Sequence, residues 1–132
     1  MVRAVIVPGN GCNKVRSSNW YGWLERRLLQ DGRFTEVVLR DMPDPLEAKR
    51  SIWLPFMLAT LGCDTRTVVI GHSSGAVAAM RLLEQHELAG VLLVSVASAL
   101  TAQHSHPTAY RQRPPISHSL CVDRAVSPGV PH

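Results

Sequence analysis

Apolar positions along this 132-residue chain gather into four short runs separated by segments of helical period. The runs are Ala4 to Val7, Phe34 to Leu39, Thr67 to Ile70 and Gly90 to Val96, each too short for a helix and rich in β-branched residues. Three of them are nearly continuous, the pattern of strands buried on both faces of a parallel sheet. After Asn19, a suitable N-cap, Trp20, Trp23, Leu24, Arg27 and Leu28 recur at three and four, and Gly32 marks a stop. A second helix is expected over Leu46 to Leu61, with Ile52, Trp53, Phe56, Met57 and Leu61 apolar and Gly62 at its end. Asp44 before Pro45 supplies its cap, with proline at the first helical position. A third helix follows Ala76 and runs to about His86. Strands alternating with helices predict right-handed crossovers, hence an α/β chain with a parallel sheet of about four strands and helices on both faces.

Beyond Val96 the pattern stops. Thr101 to His132 holds five of the nine prolines and four of the six histidines and shows no period. The expectation is one α/β domain over residues 1–96 and a disordered tail over 97–132.

The third strand ends in Gly71-His72-Ser73-Ser74-Gly75 and passes directly into the Ala-rich helix. Gly-x-Ser-x-Gly between a strand and a helix is the setting of a nucleophile elbow. Small neighbours at Gly71 and Gly75 admit the sharp turn, which leaves the Ser73 Oγ standing above the carboxyl edge of the sheet. The backbone N–H of Ser74, at the positive end of the helix, is then placed to stabilise an oxyanion. The competing explanation is a plain strand-to-helix turn with small residues for packing. His72, as the second residue of the elbow, points away from Ser73 and is expected to pack.

Pro8-Gly9-Asn10-Gly11 after the first strand admits two explanations. The N–H groups of Asn10 and Gly11 are candidates for the second oxyanion donor, or the segment is an ordinary strand-to-helix loop. The tryptophans at 20 and 23 are expected in the core, since aromatic residues at helical spacing usually pack there. Asp41 and Asp44 suggest an acid pair, but Asp44 is better explained as a cap.

Composition narrows the function further. A net charge of +4 comes from scattered Lys and Arg with no basic stripe, which argues against a nucleic-acid partner. No apolar run has membrane-spanning length, and the N-terminal run is too short for a signal peptide. Cys12, Cys63 and Cys121 fit no zinc spacing, so no metal or other cofactor is expected. Free thiols in a reducing compartment are the economical expectation, cytoplasmic and by extension nuclear.

Several blocks in order carry a family resemblance. They are Ala4 to Gly11, Trp20 to Trp23, Met42 to Pro45, Ser51 to Met57, Ile70 to Ala76 and Val91 to Ser95. Over residues 4–95 the chain resembles the serine hydrolase family of retinoblastoma-binding protein nine, a compact branch of the α/β-hydrolase superfamily. The resemblance implies hydrolysis of a small ester or amide through an acyl-serine at Ser73. Such a serine needs a histidine to take its proton and a carboxylate to orient that histidine. In the family these sit on loops after two later strands. No such strands are legible here, so the expectation is a truncated, catalytically incomplete hydrolase. Asp123 and His132 keep the order Ser…Asp…His, and His104, His106 and His118 are further candidates, but none follows a recognisable strand.

The alternative is a non-catalytic protein-binding module. The family is associated with a Leu-x-Cys-x-Glu motif for the retinoblastoma protein, matched here by Leu61-Gly62-Cys63-Asp64-Thr65. Thr65 stands where glutamate is required, and a helix end with buried Leu61 and Cys63 explains the same residues.

Overall fold

The computed structural model describes residues 1–95. Four parallel strands form one sheet in the order β2-β1-β3-β4: β1 Arg3–Val7, β2 Val37–Leu39, β3 Thr67–His72 and β4 Gly90–Val94. Helix α1 spans Tyr21–Asp31, α2 Arg50–Ala59 and α3 Ser74–Leu83, and a single 3-10 turn covers Val15–Ser17. The register runs Ala4 to Val37 on one side of β1 and Ala4 to Val68 on the other, so β1 is central. Its residues Ala4 to Val7 are accordingly buried.

Side-chain alternation sends each strand's residues to two faces. Val5, Val7, Val38 and Val69 meet Trp53, Met57 and Leu61 from α2 and its end, and Ala78, Ala79 and Leu82 from α3. Ile6, Leu39 and Ile70 meet Val15, Cys12 and Tyr21 on the opposite face, with Leu24 and Leu28 of α1 against them. The expected α/β architecture with helices on both faces is therefore present. From β1 the chain goes first to β2 on one side and then to β3 on the other. This reversal opens a crevice at the carboxyl ends of β1 and β3, where doubly wound sheets place ligands.

Several element boundaries differ from expectation. Asn19 is no N-cap: it has a φ of 51°, and α1 starts two residues later with Trp20 at the cap. Trp23 is 58% exposed, whereas Tyr21 and Gly22 are buried. The burial is shifted because α1 docks by its first turn, and the Gly22 Cα lies against the Arg16 carbonyl oxygen, where no Cβ would fit. β2 begins at Val37 rather than Phe34.

Helix α2 begins at Arg50, not Leu46. Asp44 and Ala48 take left-handed φ values of 45° and 52°, which no α-helix accommodates. Asp44 instead holds a separate turn, its carbonyl accepting from the Ala48 N–H at 3.0 Å and its Oδ2 from the Lys49 N–H at 3.0 Å. Gly62, at φ 66°, ends α2's segment as expected. Among the described residues no helix is long and apolar enough to cross a membrane.

Candidate active site

Ser73 stands between the last residue of β3 and the first of α3, with φ 53° and ψ −115°. That conformation is strained for any residue with a side chain, and the surroundings enforce it. A Cβ on Gly71 would lie 2.5 Å from the Gly75 carbonyl oxygen and 2.8 Å from the Ala76 Cα. One on Gly75 would overlap the Val7 carbonyl oxygen and stand 2.5 Å from that of Pro8. The two glycines thus let α3 start directly against β1 and β3. The Ser73 N–H donates to the Val94 carbonyl at 2.9 Å, and its own carbonyl accepts from Ala76 and Val77 at 3.0 and 3.2 Å. The serine is pinned on both sides.

Among the described residues, no acceptor takes the N–H groups of Ser74 and Gly75. They are first-turn donors at the positive end of α3, the usual situation at a helix N-terminus.

The loop after β1 lies alongside. An ideal Cβ on Gly9 would sit 3.3 Å from the Ser73 Cβ. Three ties hold this loop. The Gly9 N–H donates to the Tyr21 hydroxyl at 2.9 Å. Asn10 Oδ1 accepts from the Ser74 Oγ at 2.9 Å while its Nδ2 donates to the Leu46 carbonyl at 3.1 Å. The Gly11 N–H donates to the Pro45 carbonyl at 2.5 Å. Gly11 therefore leaves the set of candidate oxyanion donors, because its only backbone proton is committed. Among the described residues the Asn10 N–H makes no hydrogen bond, and it remains in the set.

His72 is buried, and its Nδ1 lies 2.6 Å from the Tyr21 hydroxyl. Its ring meets Trp20 edge-on with centroids 5.3 Å apart. Burial lowers its pKa below the ordinary histidine value, so the ring is neutral at pH 7. The same burial raises the Tyr21 pKa, keeping the phenol protonated. Tyr21 is the site residue that sequence reasoning missed. It follows Trp20 off the apolar stripe, and only the conjunction of a tyrosine with the buried histidine before Ser73 would have drawn attention to it.

Other candidates fall elsewhere. Asp41 Oδ1 accepts from the Val15 N–H at 2.8 Å, which anchors the 3-10 turn. Leu61 and Cys63 are 1% and 6% exposed and belong to the core. Burial pushes the Cys63 thiol up to about 11. Cys63 is free, whereas Cys12 is disulfide-bonded, a correction to the expectation of free thiols throughout. The histidines among the described residues are His72, held by Tyr21, and His86, beyond the far end of α3 and roughly 15 Å of helix away. His104, His106, His118, Asp123 and His132 lie outside the described residues. Among those described, no three His, Cys, Asp or Glu residues are grouped to hold a metal ion.

The family model for serine hydrolases matches residues 4–126. The likeness thus runs well past Ser95, into the segment where no motif was legible. The chain is 47% identical over 113 residues to the serine hydrolase RBBP9 of Rattus norvegicus, covering 85% of this chain and 60% of that protein. It is 32% identical over 91 residues to YdeN of Bacillus subtilis (strain 168), covering 65% of this chain and 47% of the other. The crystal structure of the ydeN gene product from B. subtilis superposes with a TM-score of 0.56 at 28% identity, over 70% of this chain and 50% of that one. The chain spans about half to three-fifths of the length of these relatives.

Proposed function

The chain belongs to the serine hydrolase family, and from that premise we propose that it presents the nucleophile and oxyanion half of an acyl-transfer site for small esters or amides. The observation that carries the proposal is the geometry of Ser73, held at φ 53° between β3 and the N-terminus of α3. In this reading the Ser73 Oγ attacks the acyl carbon, and the developing oxyanion takes hydrogen bonds from the N–H groups of Ser74 and Asn10. The serine proton passes to a general base, the alcohol or amine leaves, and water releases the acid from the acyl-serine.

The general base has to come from outside the described residues, since His72 is committed to Tyr21 and His86 is remote. A chain in which no base reaches Ser73 loses on the order of a million-fold in turnover. The reading is therefore of a site whose nucleophile and oxyanion donors are in place and whose activity is low until a histidine is delivered. The protein-binding alternative draws no support from Leu61 and Cys63, because a linear motif buried in the core is closed to a partner.

A fluorophosphonate probe tests the proposal directly, its phosphorus bonding to an activated serine oxygen with loss of fluoride. Label located on Ser73 by mass spectrometry and absent from Ser73→Ala is the expected result. A folded chain that takes no label at Ser73, even with excess imidazole supplied as the base, overturns it.

A further inference from the structure

Outside the elbow itself, the most constrained polar group near the site is the Tyr21 hydroxyl. It is fully buried, 2.9 Å from the Gly9 N–H and 2.6 Å from His72 Nδ1. Gly9 belongs to the loop after β1, and His72 immediately precedes the nucleophile. Tyr21 itself stands on α1, a third element. One hydroxyl thus joins the two strand ends that frame the crevice.

Donor and acceptor roles follow from the chemistry. A backbone N–H only donates, so Tyr21 accepts from Gly9. The Asn19 side chain also bonds this hydroxyl and lowers its pKa, as an amide N–H donating to the oxygen does, so the phenol's single proton is directed to His72 Nδ1. The ring nitrogen then accepts, which requires a neutral imidazole with its proton on Nε2. The low pKa of the buried ring and the high pKa of the buried phenol agree with this assignment.

The consequence for the site comes from neighbours in sequence. The residue after Gly9 is Asn10, whose N–H is the oxyanion donor proposed above. The residue after His72 is Ser73. We propose that Tyr21 is a positioning residue which sets the Asn10 N–H against the Ser73 Oγ by fixing Gly9 and the Nε2–H tautomer of His72 with one hydroxyl. The proposal rests on the reading of Ser73 as nucleophile only for its kinetic consequence; the two hydrogen bonds stand apart from it. Removing the hydroxyl frees the Gly9 N–H and lets the loop drift. A displacement near 1 Å in such a site costs up to about 100-fold in rate.

The test uses the full chain, wild type and Tyr21→Phe, with Trp23→Ala as control because Trp23, on the same helix, is 58% exposed and takes part in neither bond. Three readouts are taken: the 15N shifts of the His72 ring, hydrogen exchange at the Gly9 amide, and the rate of fluorophosphonate labelling at Ser73. In the wild type the ring is the Nε2–H tautomer and the Gly9 amide is protected. In Tyr21→Phe the tautomers mix, Gly9 exchange accelerates about ten-fold or more, and labelling slows about 10- to 100-fold, while Trp23→Ala changes none of these. An Nδ1–H tautomer in the wild type overturns the proposal, and needs no variant to fold. So does a folded Tyr21→Phe with unchanged Gly9 exchange, or with an unchanged labelling rate. If wild type takes no label, the nucleophile reading fails by itself, and the tautomer and exchange results still decide the role of Tyr21.

Discussion

Asn10 and Ser74, sixty-four positions apart, are joined side chain to side chain, the Ser74 hydroxyl donating to Asn10 Oδ1 at 2.9 Å. The same Asn10 reaches Leu46 with its amide nitrogen, so three loops at the carboxyl edge of the sheet meet on one side chain. Both bonds are exposed, and each is therefore expected to contribute only about 0.5–1.5 kcal/mol. Asn10→Ala is expected to cost about 1 kcal/mol of stability, a shift of several degrees in the melting midpoint. It should slow Ser73 labelling by more than that modest loss suggests, because the loop carrying a donor becomes mobile. Ser74→Ala, which removes one of the two bonds, should have the smaller effect in both measurements.

Gly75 and Gly90 offer a sharper contrast, one glycine in the first turn of α3 and the other the first residue of β4. A Cβ on Gly75 would run into the carbonyl oxygens of Val7, at the end of the central strand, and of Pro8 just after it, backbone atoms that cannot give way. Gly75→Ala is expected to cost at least about 3 kcal/mol or to prevent folding. A Cβ on Gly90 would meet only the Val68 Cγ2 at 3.7 Å, an ordinary contact. Gly90→Ala should be neutral or stabilise by up to about 1 kcal/mol through the unfolded chain. Thermal melts of the two variants against wild type decide this.

The contrast also shows what was legible in the sequence. Strand order could not be read from periodicity, but the strand-helix alternation implied the parallel sheet, and Gly71 and Gly75 around Ser73 implied a sharp, closely packed turn from β3 into α3. Three features were hidden, each for a physical reason. The burial of Tyr21 depends on where α1 docks, which a helical stripe containing two tryptophans misrepresents. The late start of α2 depends on left-handed backbone at Asp44 and Ala48, and alanine carries no signal for that conformation. The commitment of the Gly11 N–H to Pro45 joins two loops that sequence alone does not bring together.

His72 makes the stability of the domain depend on pH in a definite direction. Its folded pKa is lowered by burial, so its contribution is present above the unfolded value of 6.5 and is lost as pH falls through the lower folded value. Protonation also removes the acceptor that Tyr21 uses. Urea unfolding at pH 7 and pH 5 should show a fall in stability for wild type, and a smaller fall for His72→Gln, whose side chain does not titrate.

Cys63 has the opposite dependence. Burial raises its thiol from 9.0 to about 11, so its contribution is present below pH 9 and lost as pH rises toward 11. At pH 8 the thiol is protonated and 6% exposed, and both properties suppress alkylation. Iodoacetamide should leave Cys63 unmodified in the native chain and label it fully in urea. Prompt native labelling would contradict the core assignment and reopen the Leu61–Thr65 segment to a partner.

The last prediction concerns β4, which among the described residues has a neighbouring strand on one side only. Leu92 is paired in register with Ile70, so the two share a sheet face, yet Ile70 is 5% exposed and Leu92 56%. The difference follows from the helices: α1 packs chiefly over β2, on the far side of β1 from β4. Leu93, on the other face, is still 39% exposed beside α3. Among the described residues, Val91 to Val94 therefore presents an apolar strand with one edge unpaired and no charge to blunt it, the arrangement that promotes edge-to-edge pairing. Sedimentation velocity on the full chain is expected to show concentration-dependent association, and Leu92→Lys to reduce it without lowering the melting midpoint by more than a few degrees. A wild-type chain that stays monodisperse and monomeric across the concentration series would overturn this prediction.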